Sequence, residues 1–253
     1  MGEYKTAVVI LVVLLALYIN VIVTVFYLAL ISSITNKELL QEVFNSIWLS
    51  LVTSLVSTTI VIALTLPVSY FLSQKWFRGK HVISSLFAIP YILSPSATGL
   101  ILLIFLVKNP VGKLLNDSFN FINDPKGIVL AQVFLSFPLA LIYYTSLFRT
   151  IPASLLEVSR TLGFGRIEGL YKIFIPLLKP QVIAGAILIF ARAFGDFGAS
   201  LVLGGGIRGR TVTLPIALFL VNQYGDLALL AYVLAGYVML AFALLMFMNM
   251  LER

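Results

Sequence analysis

Long apolar runs recur along the whole chain, and they constrain its fold more than any other feature. A transmembrane helix needs about 20 mainly apolar residues, and backbone facing lipid must satisfy its own hydrogen bonds. Six runs approach or exceed this length, at residues 7–31, 46–73, 82–107, 127–148, 180–203 and 227–251. We therefore expect an all-α integral membrane protein with about six transmembrane helices. A shorter run at 213–221 predicts a partly inserted helix.

Composition favours a single membrane domain over residues 1–253. Hydrophobic residues make up 60% of the chain and charged residues 11%, whereas soluble domains average about 25% charged residues. The chain has no Cys and one His. This excludes thiolate and multi-histidine metal sites. It also argues against a membrane-embedded enzyme, which would need clustered His, Cys or carboxylates, or a Ser with a base, at membrane depth. We expect no catalytic residue, no metal site and no cofactor in this chain.

Two prolines, Pro90 and Pro95, lie close together in the third run. Prolines at this spacing kink or break a helix, and the freed backbone groups need partners in the protein or in a water-lined cavity. The break is interpreted either as a packing kink or as irregular backbone beside a translocation pathway.

The segment 151–176 concentrates charged residues between the fourth and fifth runs. Pro152 suits the first turn of a short helix, and Gly163 predicts its C-terminal cap. A second short helix is predicted over about 166–173, ending at Pro176, which cannot continue a helix. The pair is interpreted either as amphipathic helices resting on the membrane surface or as a surface for docking another protein.

This segment resembles the EAA signature of ABC importer permeases: Glu-Ala-Ala, three residues, Gly, nine residues and Ile-x-Leu-Pro. The spacing is kept, and the departures are Val158, Ser159 and Ile175. The resemblance implies a type I importer permease fold with cytoplasmic coupling helices that sit in a cleft of an ATPase. The residues to which it assigns coupling are Glu157, Val158, Ser159, Arg160, Gly163, Arg166, Ile173 and Pro176.

Lysine and arginine in the connections predict the orientation. With the N-terminus inside, these residues are more frequent in the cytoplasmic connections than in the outer ones; the cytoplasmic set includes Lys5, Lys75, Arg78, Arg160 and Arg253. We expect a multi-pass protein of the cell membrane (plasma or inner) with both termini in the cytoplasm. Because orientation accounts for most of the net charge of +7, no nucleic-acid partner is inferred.

The fifth run carries ionisable residues at membrane depth. Arg192 and Asp196 are four residues apart, so on one helix they share a face and can pair. Charged groups at this depth are costly and almost always face an interior or a water-filled path. Two interpretations stay open: a buried ion pair that locks the bundle, or a polar lining of the pathway near a gate. The pathway set is Arg192, Gly195, Asp196, Gly198 and Ser200, with the glycines admitting a neighbouring helix, for example from a second subunit.

A narrower resemblance lies in the same stretch. Residues 192–199 are similar to the Arg-x-x-Gly-Glu-Phe-Gly-Ala segment of molybdate, tungstate and sulfate importer permeases, with Asp196 in place of Glu. Residues 211–215 resemble the Thr-x-Thr-x-Pro that follows there, and the likeness covers a core of about 44–237. It implies a permease for a tetrahedral oxyanion, most directly molybdate or tungstate, working by alternating access. The alternatives are sulfate or thiosulfate, another small solute, and an ATP-independent channel or secondary transporter.

The resemblance also implies partners. These are a second permease copy in a homodimer, cytoplasmic ATPase subunits that bind ATP and Mg, and an extracytoplasmic oxyanion-binding protein. The chain lacks a Walker A phosphate-binding motif, so ATP hydrolysis is expected on the partner and no enzyme activity here. Arg208 and Arg210, on the outer side, are interpreted as solvated, with contact to the binding protein as the alternative.

Overall fold

The computed structural model describes residues 2–31, 37–74 and 79–251, and its regular elements are all helical. They are α1 (Gly2–Ile31), α2 (Lys37–Gln74), α3 (Lys80–Ile92), α4 (Pro95–Lys108), α5 (Pro110–Phe119), α6 (Pro125–Arg149), α7 (Ala153–Thr161), α8 (Arg166–Gly169), α9 (Ile175–Leu177), α10 (Lys179–Phe194), α11 (Gly198–Gly204), α12 (Leu214–Gln223) and α13 (Leu227–Leu251). A π-helical turn, Leu170–Phe174, joins α8 to α9. The all-α class is confirmed. Lys75, Arg78 and Arg253, which enter the orientation argument, lie outside the described residues.

The structure confirms a multi-span helical fold, with three to five span-length apolar stretches among the described residues. Three single helices are long and apolar enough to cross a membrane: Val8–Ile31, Gln41–Gln74 and Pro125–Arg149. Two bent pairs pass the same test together, Val82–Ile92 with Pro95–Lys108 and Arg166–Leu177 with Lys179–Phe194. The described residues thus hold three spans, or up to five, against about six predicted. The last predicted span is the continuous helix α13, of which only Leu227–Ala243 is counted, as a shorter apolar helix.

The break predicted in the third run is confirmed, and it falls at the second proline. Helices α3 and α4 meet at 112°. Pro95 is the first residue of α4, and the Ser94 hydroxyl caps that helix by accepting a hydrogen bond from Ala97 N–H at 3.2 Å. Pro90 lies inside α3. The sharp change of direction therefore follows from an N-terminal cap that starts a new helix.

The fifth run is not the single helix expected over 180–203; that prediction was wrong. Helix α10 ends at Phe194, Gly195 closes it by donating its N–H to Ala191 O at 3.0 Å, and α11 begins only at Gly198. The chain therefore has a second break at membrane depth.

The expected stop at Pro176 was also wrong, because Pro176 lies inside α9 and the chain turns by 90° only at the α9–α10 junction. Just before it, Ile175 N–H bonds Leu170 O, five residues back, in the π-helical turn. This wider turn shifts the backbone hydrogen-bonding register just before Pro176, which has no N–H to donate.

Helices α2 and α6 pack along each other at the centre of the fold. Gln132 of α6 is buried; its side-chain oxygen accepts from Ser57 Oγ–H at 2.8 Å, and its amide nitrogen donates to Thr53 Oγ1 at 3.4 Å. Small hydroxyl residues let helices approach closely. Those buried on α2 are Ser46, Ser50, Thr53, Ser54, Ser57, Thr58, Thr65 and Ser69.

Helix α1 differs from the rest because almost all of it is exposed. Its contact with the fold is with α13, where Ala29 packs against Ala231 and Ala235. No residue in its apolar span-length window is buried within the chain.

Candidate functional site

The cap predicted at Gly163 is present. Gly163 has φ +81°, which suits glycine, and its N–H donates to Arg160 O at 2.9 Å. Phe164 N–H donates to Ser159 O, five residues back, at 3.2 Å. These two bonds are a Schellman motif, which satisfies the last carbonyls of α7. The motif ends α7 and turns the chain sharply toward α8.

One face of α7 is anchored in the transmembrane helices. Leu155 and Leu156 pack on an aromatic cluster that includes Tyr70 of α2 and Phe148 of α6. Phe174, from the π-helical turn, joins this cluster with its ring centroid 5.6 Å from that of Tyr70. The short helices are therefore fixed to α2 and α6 by packing.

Ser159 occupies the second Ala position of the signature, and Gly169 makes room for it. Ser159 is 5% exposed. A Cβ added to Gly169 would lie 2.7 Å from Ser159 Oγ, closer than real Cβ contacts allow. The two residues that replace Ala in the signature therefore differ in their surroundings: Ser159 is buried in this contact, whereas Val158 faces outward.

The opposite face of the segment is an exposed apolar patch, formed by Val158, Leu162, Ile167 and Tyr171. Each of these side chains is between 50% and 66% exposed. Contiguous exposed apolar surface of this kind marks an interaction site. Exposed charged residues border the patch: Glu157, Arg160, Arg166, Glu168 and Lys172.

The charged border is only partly paired. Lys172 Nζ contacts Glu168 Oε1 at 2.6 Å and lies 5.4 Å from the centroid of the Phe164 ring. The hydrogen bond and charge of Lys172 lower the pKa of the Glu168 carboxyl. Within the described residues Glu157, Arg160 and Arg166 make no side-chain hydrogen bond or ion pair. Of the remaining predicted coupling residues, Ile173 is half-buried and Pro176 is exposed.

The second predicted site centres on Asp196, and the direct ion pair with Arg192, one of the two interpretations left open, is not formed among the described residues. Because α10 ends before Asp196, the helical spacing that would place it beside Arg192 is lost. Asp196 Oδ2 instead accepts from Ser200 N–H at 2.8 Å and from Ser200 Oγ–H at 2.6 Å. Among the described residues Arg192 makes no hydrogen bond or ion pair.

The Asp196 carboxylate is deeply buried, at 2% exposed, and its Oδ1 has no hydrogen-bond partner in the described part of the chain. A buried, half-satisfied carboxylate is costly and needs an explanation in the surrounding structure or in function. It sits in the break between α10 and α11, where the backbone is irregular. This combination fits a polar position beside a pathway better than a structural ion pair.

Other helices approach Gly195 and Gly198 closely, as predicted, and these helices belong to the same chain. A Cβ on Gly198 would lie 2.5 Å from Ser96 Oγ, so α11 packs directly on the start of α4. A Cβ on Gly195 would lie 3.4 Å from Tyr237 Oη of α13. The two breaks in the membrane helices, at Ser94 and at Gly195–Phe197, are therefore adjacent in the fold.

Sequence reasoning missed an ionic network at the opposite end of the bundle from α7. Arg210 Nη2 contacts Asp124 Oδ2 at 2.9 Å, and Arg208 Nε lies 3.6 Å from Glu42 Oε2 and bonds the Tyr224 hydroxyl. Both arginine side chains stay solvated, at 52% and 60% exposed, and each also has an acidic partner within this chain.

The pKa of Asp124 reflects this network. Burial acts to raise the pKa of the Asp124 carboxyl, but hydrogen bonds from Lys126 N–H and Arg210 outweigh it and lower that pKa. The sequence carries no signal for these pairs because the partners lie far apart along the chain.

Three features define the class of this protein. Its apolar helices are broken, a buried carboxylate lies at one break, and a segment of short helices is exposed at one end of the bundle. It is therefore a multi-pass helical membrane protein with irregular backbone in its interior. Comparison with known sequences makes this specific. The family described as "Binding-protein-dependent transport system inner membrane component" matches residues 66–253, and the chain belongs to that family. Its members are transport subunits, so this chain is a permease subunit and not an enzyme.

Curated relatives and solved structures agree with the family. The chain is 34% identical over 186 residues to the probable transport system permease NifC of Clostridium pasteurianum, a match over 72% of this chain and 65% of that protein. It is 32% identical to the molybdenum transport permease ModB of Escherichia coli K12, over 70% of this chain and 80% of ModB.

A crystal structure of a bacterial ABC transporter that imports alginate has the same fold, with a TM-score of 0.67, 15% identity, and coverage of 98% of this chain and 95% of that chain.

Proposed function

We propose that this chain is the membrane permease of an ATP-driven importer for a tetrahedral oxyanion, most directly molybdate. The observation that carries the proposal is the segment α7–α8, where an exposed apolar patch bordered by charged residues, three of them unpaired among the described residues, is anchored to the membrane helices. Substrate identity is supported by the relatives, since ModB of Escherichia coli and a probable permease of Haloferax volcanii, 32% identical to this chain, are both named for molybdenum.

The patch is proposed to sit in a cleft of a cytoplasmic ATPase that binds ATP and Mg. Glu157, Val158 and Arg160 face outward toward this partner. Leu155 and Leu156 face inward onto the aromatic cluster. A rigid-body movement of α7 would therefore be transmitted to α2, α6 and α10. The side chains between these helices are closely packed, and such a packed cluster moves together rather than deforming locally.

The moving helices lead to the candidate pathway. Ile189 of α10 belongs to the same cluster as Tyr70 and Phe148. At the other end of α10, after Gly195, the buried Asp196 carboxylate lies against α11, which packs on α4. Alternating access would shift these two adjacent breaks between an outward-open and an inward-open arrangement. Arg192, without an ionic partner in the described residues, is placed to meet the oxyanion's charge.

The proposed assembly has a second permease copy, two ATPase subunits and an extracytoplasmic binding protein that delivers the oxyanion. One neighbouring structure is an alginate transporter in complex with a substrate-bound periplasmic protein, with a TM-score of 0.62, 14% identity, and coverage of 83% of this chain and 78% of that chain. The segment α7–α8 and both termini are placed in the cytoplasm, on the charge distribution alone.

The test combines copurification with transport. The full-length chain, expressed with its ATPase, should recover that ATPase from detergent, and loaded binding protein should stimulate ATP hydrolysis in liposomes. Competition among molybdate, tungstate and sulfate then identifies the cargo. Glu157→Ala should reduce ATPase recovery while membrane insertion stays normal, and Asp117→Ala, at an exposed acid on α5, is the matched control. Solute flux by the chain without ATP would contradict the proposal.

A further inference from the structure

A small cavity lies between α7 and the end of α2, beside the exposed apolar patch. Its volume is about 60 Å³, which holds a few waters or one small group but not a nucleotide. The polar residues that line it are Tyr70, Gln74, Ser159, Arg160 and Arg166. No carboxylate is among its lining residues in the described part of the chain.

Four of the polar groups around this cavity, from Tyr70, Ser159, Arg160 and Arg166, are hydrogen-bond donors without an acceptor in the described part of the chain. The guanidinium groups of Arg160 and Arg166 both lie close enough to the Tyr70 hydroxyl to act on it electrostatically. Neither arginine has an ion pair within the described residues, and the Tyr70 and Ser159 hydroxyls make no hydrogen bond there. Tyr70 and Ser159 are only 7% and 5% exposed, so these hydroxyls are recessed.

The nearest acids do not neutralise the two arginines. Glu168 is engaged by Lys172 at 2.6 Å, and Glu157 is exposed and does not line the cavity. Gln74 already donates to Phe148 O at 3.2 Å, which fixes its amide at the wall. Two guanidinium charges and two recessed hydroxyls around one small space form an electropositive pocket. Arginine is the residue best suited to bind a tetrahedral oxyanion, because its planar fork donates two parallel hydrogen bonds.

We propose that this cavity binds a tetrahedral oxyanion group, supplied either by a free oxyanion or by the phosphate of an anionic lipid headgroup. An acidic side chain of a docked protein is less well suited. The surface that a protein would cover is the exposed patch of Val158, Leu162, Ile167 and Tyr171. A small anion can enter the cavity and reach the recessed Ser159 and Tyr70 hydroxyls. A protein docked on the outer face of α7 does not reach them. The site is additional to transport and does not depend on the identity of the cargo.

The experiment uses the full-length chain in nanodiscs of zwitterionic lipid. One arm measures binding of radiolabelled inorganic phosphate. The other arm adds phosphatidylglycerol to the nanodiscs and counts retained lipids by native mass spectrometry. Arg160→Gln with Arg166→Gln should weaken binding in one or both arms by about tenfold or more, since two charge-assisted contacts are lost. Arg149→Gln, at an exposed arginine that ends α6 outside the cavity, should leave binding unchanged.

A gentler variant guards against misfolding of the double substitution. Tyr70→Phe keeps the ring contacts with Phe148 and Phe174 and removes only the recessed hydroxyl. It should weaken binding by roughly 10- to 150-fold, the effect of one hydrogen bond to a charged ligand. Both arms should also weaken as salt is added.

Loss of phosphate binding identifies a free oxyanion as the ligand, and loss confined to phosphatidylglycerol identifies a lipid headgroup; either result supports the site. Equal binding by the double variant and Arg149→Gln in both arms overturns it. It is also overturned if the double variant loses only ATPase copurification, because the arginines would then serve a protein partner. Failure of the unaltered chain to recover an ATPase would instead count against the transport function, leaving this site untouched.

Discussion

The hydrogen bonds between Asp196 and Ser200 give the sharpest quantitative prediction. Ser200→Ala removes the hydroxyl bond at 2.6 Å, while the backbone bond at 2.8 Å remains. A hydrogen bond to a charged acceptor contributes about 1.5–3 kcal/mol, and both residues are fully buried. We therefore expect Ser200→Ala to lower the free energy of unfolding by about 1.5–3 kcal/mol, a factor of roughly 10 to 150 in the unfolding equilibrium.

A double-mutant cycle separates this contact from the ion pair between Arg192 and Asp196 that the sequence left open. In an Asp196→Ala background the acceptor is gone, so Ser200→Ala should cost no more than about 0.5 kcal/mol. Arg192→Gln should combine with Asp196→Ala almost additively, within about 0.5 kcal/mol, since no direct contact joins the two residues.

The assay is unfolding of the purified chain in mixed micelles, followed by loss of helical circular dichroism. Each single and double variant is measured at one protein concentration and one salt concentration, and Gly165→Ala, at an exposed glycine with open space around it, reports the scatter of a neutral change. A coupling energy between Arg192 and Asp196 larger than that between Asp196 and Ser200 would refute the reasoning.

Three further predictions test other parts of the structure. Gly163→Ala places a side chain at φ +81° and should cost about 1 kcal/mol; it should reduce ATPase recovery with insertion intact, and an unchanged recovery would count against the role of the α7 cap. Gly198→Ala should destabilise by about 1–3 kcal/mol, because its Cβ would meet Ser96 Oγ at 2.5 Å; the same thermal midpoint as the unaltered chain would show that α4 and α11 are not in close contact. The folded-state pKa of Asp124 is lowered, so its stabilisation is complete above the ordinary value of about 4 and is lost as pH falls through the lowered value. The difference in unfolding free energy between the unaltered chain and Asp124→Asn should therefore shrink on acidification, and a difference independent of pH would contradict the Arg210 pairing.

Much of the helical framework follows from local sequence. Apolar length predicted where most helices lie, the pair Pro90 and Pro95 predicted a helix break, and Gly163 predicted a helix cap at the residue where it occurs. These succeed because caps and prolines act within a few residues of themselves. The π-helical turn before Pro176 has no such local signature, and it carried the helix past a residue expected to end it.

The polar contacts were less predictable because their partners depend on how the chain bends. A spacing of four residues implies a shared face only on a continuous helix, and Gly195 interrupts it before Asp196. Arg208 and Arg210 pair with residues from other helices, which sequence periodicity cannot specify. The two short helices α7 and α8 were predictable since their start and cap signals are local, whereas the recessed cavity behind Arg160 required the fold.

The position of α1 bears on how this chain assembles during synthesis. Helix α1 precedes α13 in the chain, yet the side chains against which it packs, Ala231 and Ala235, belong to α13. Until α13 is inserted, α1 lacks this packing contact. Closure of α1 onto α13 therefore comes after the helices between them have been synthesised. A chain truncated before α13 should insert α1 normally but leave it without a packing partner. Cross-linking between α1 and the remaining helices should then be weak and unspecific.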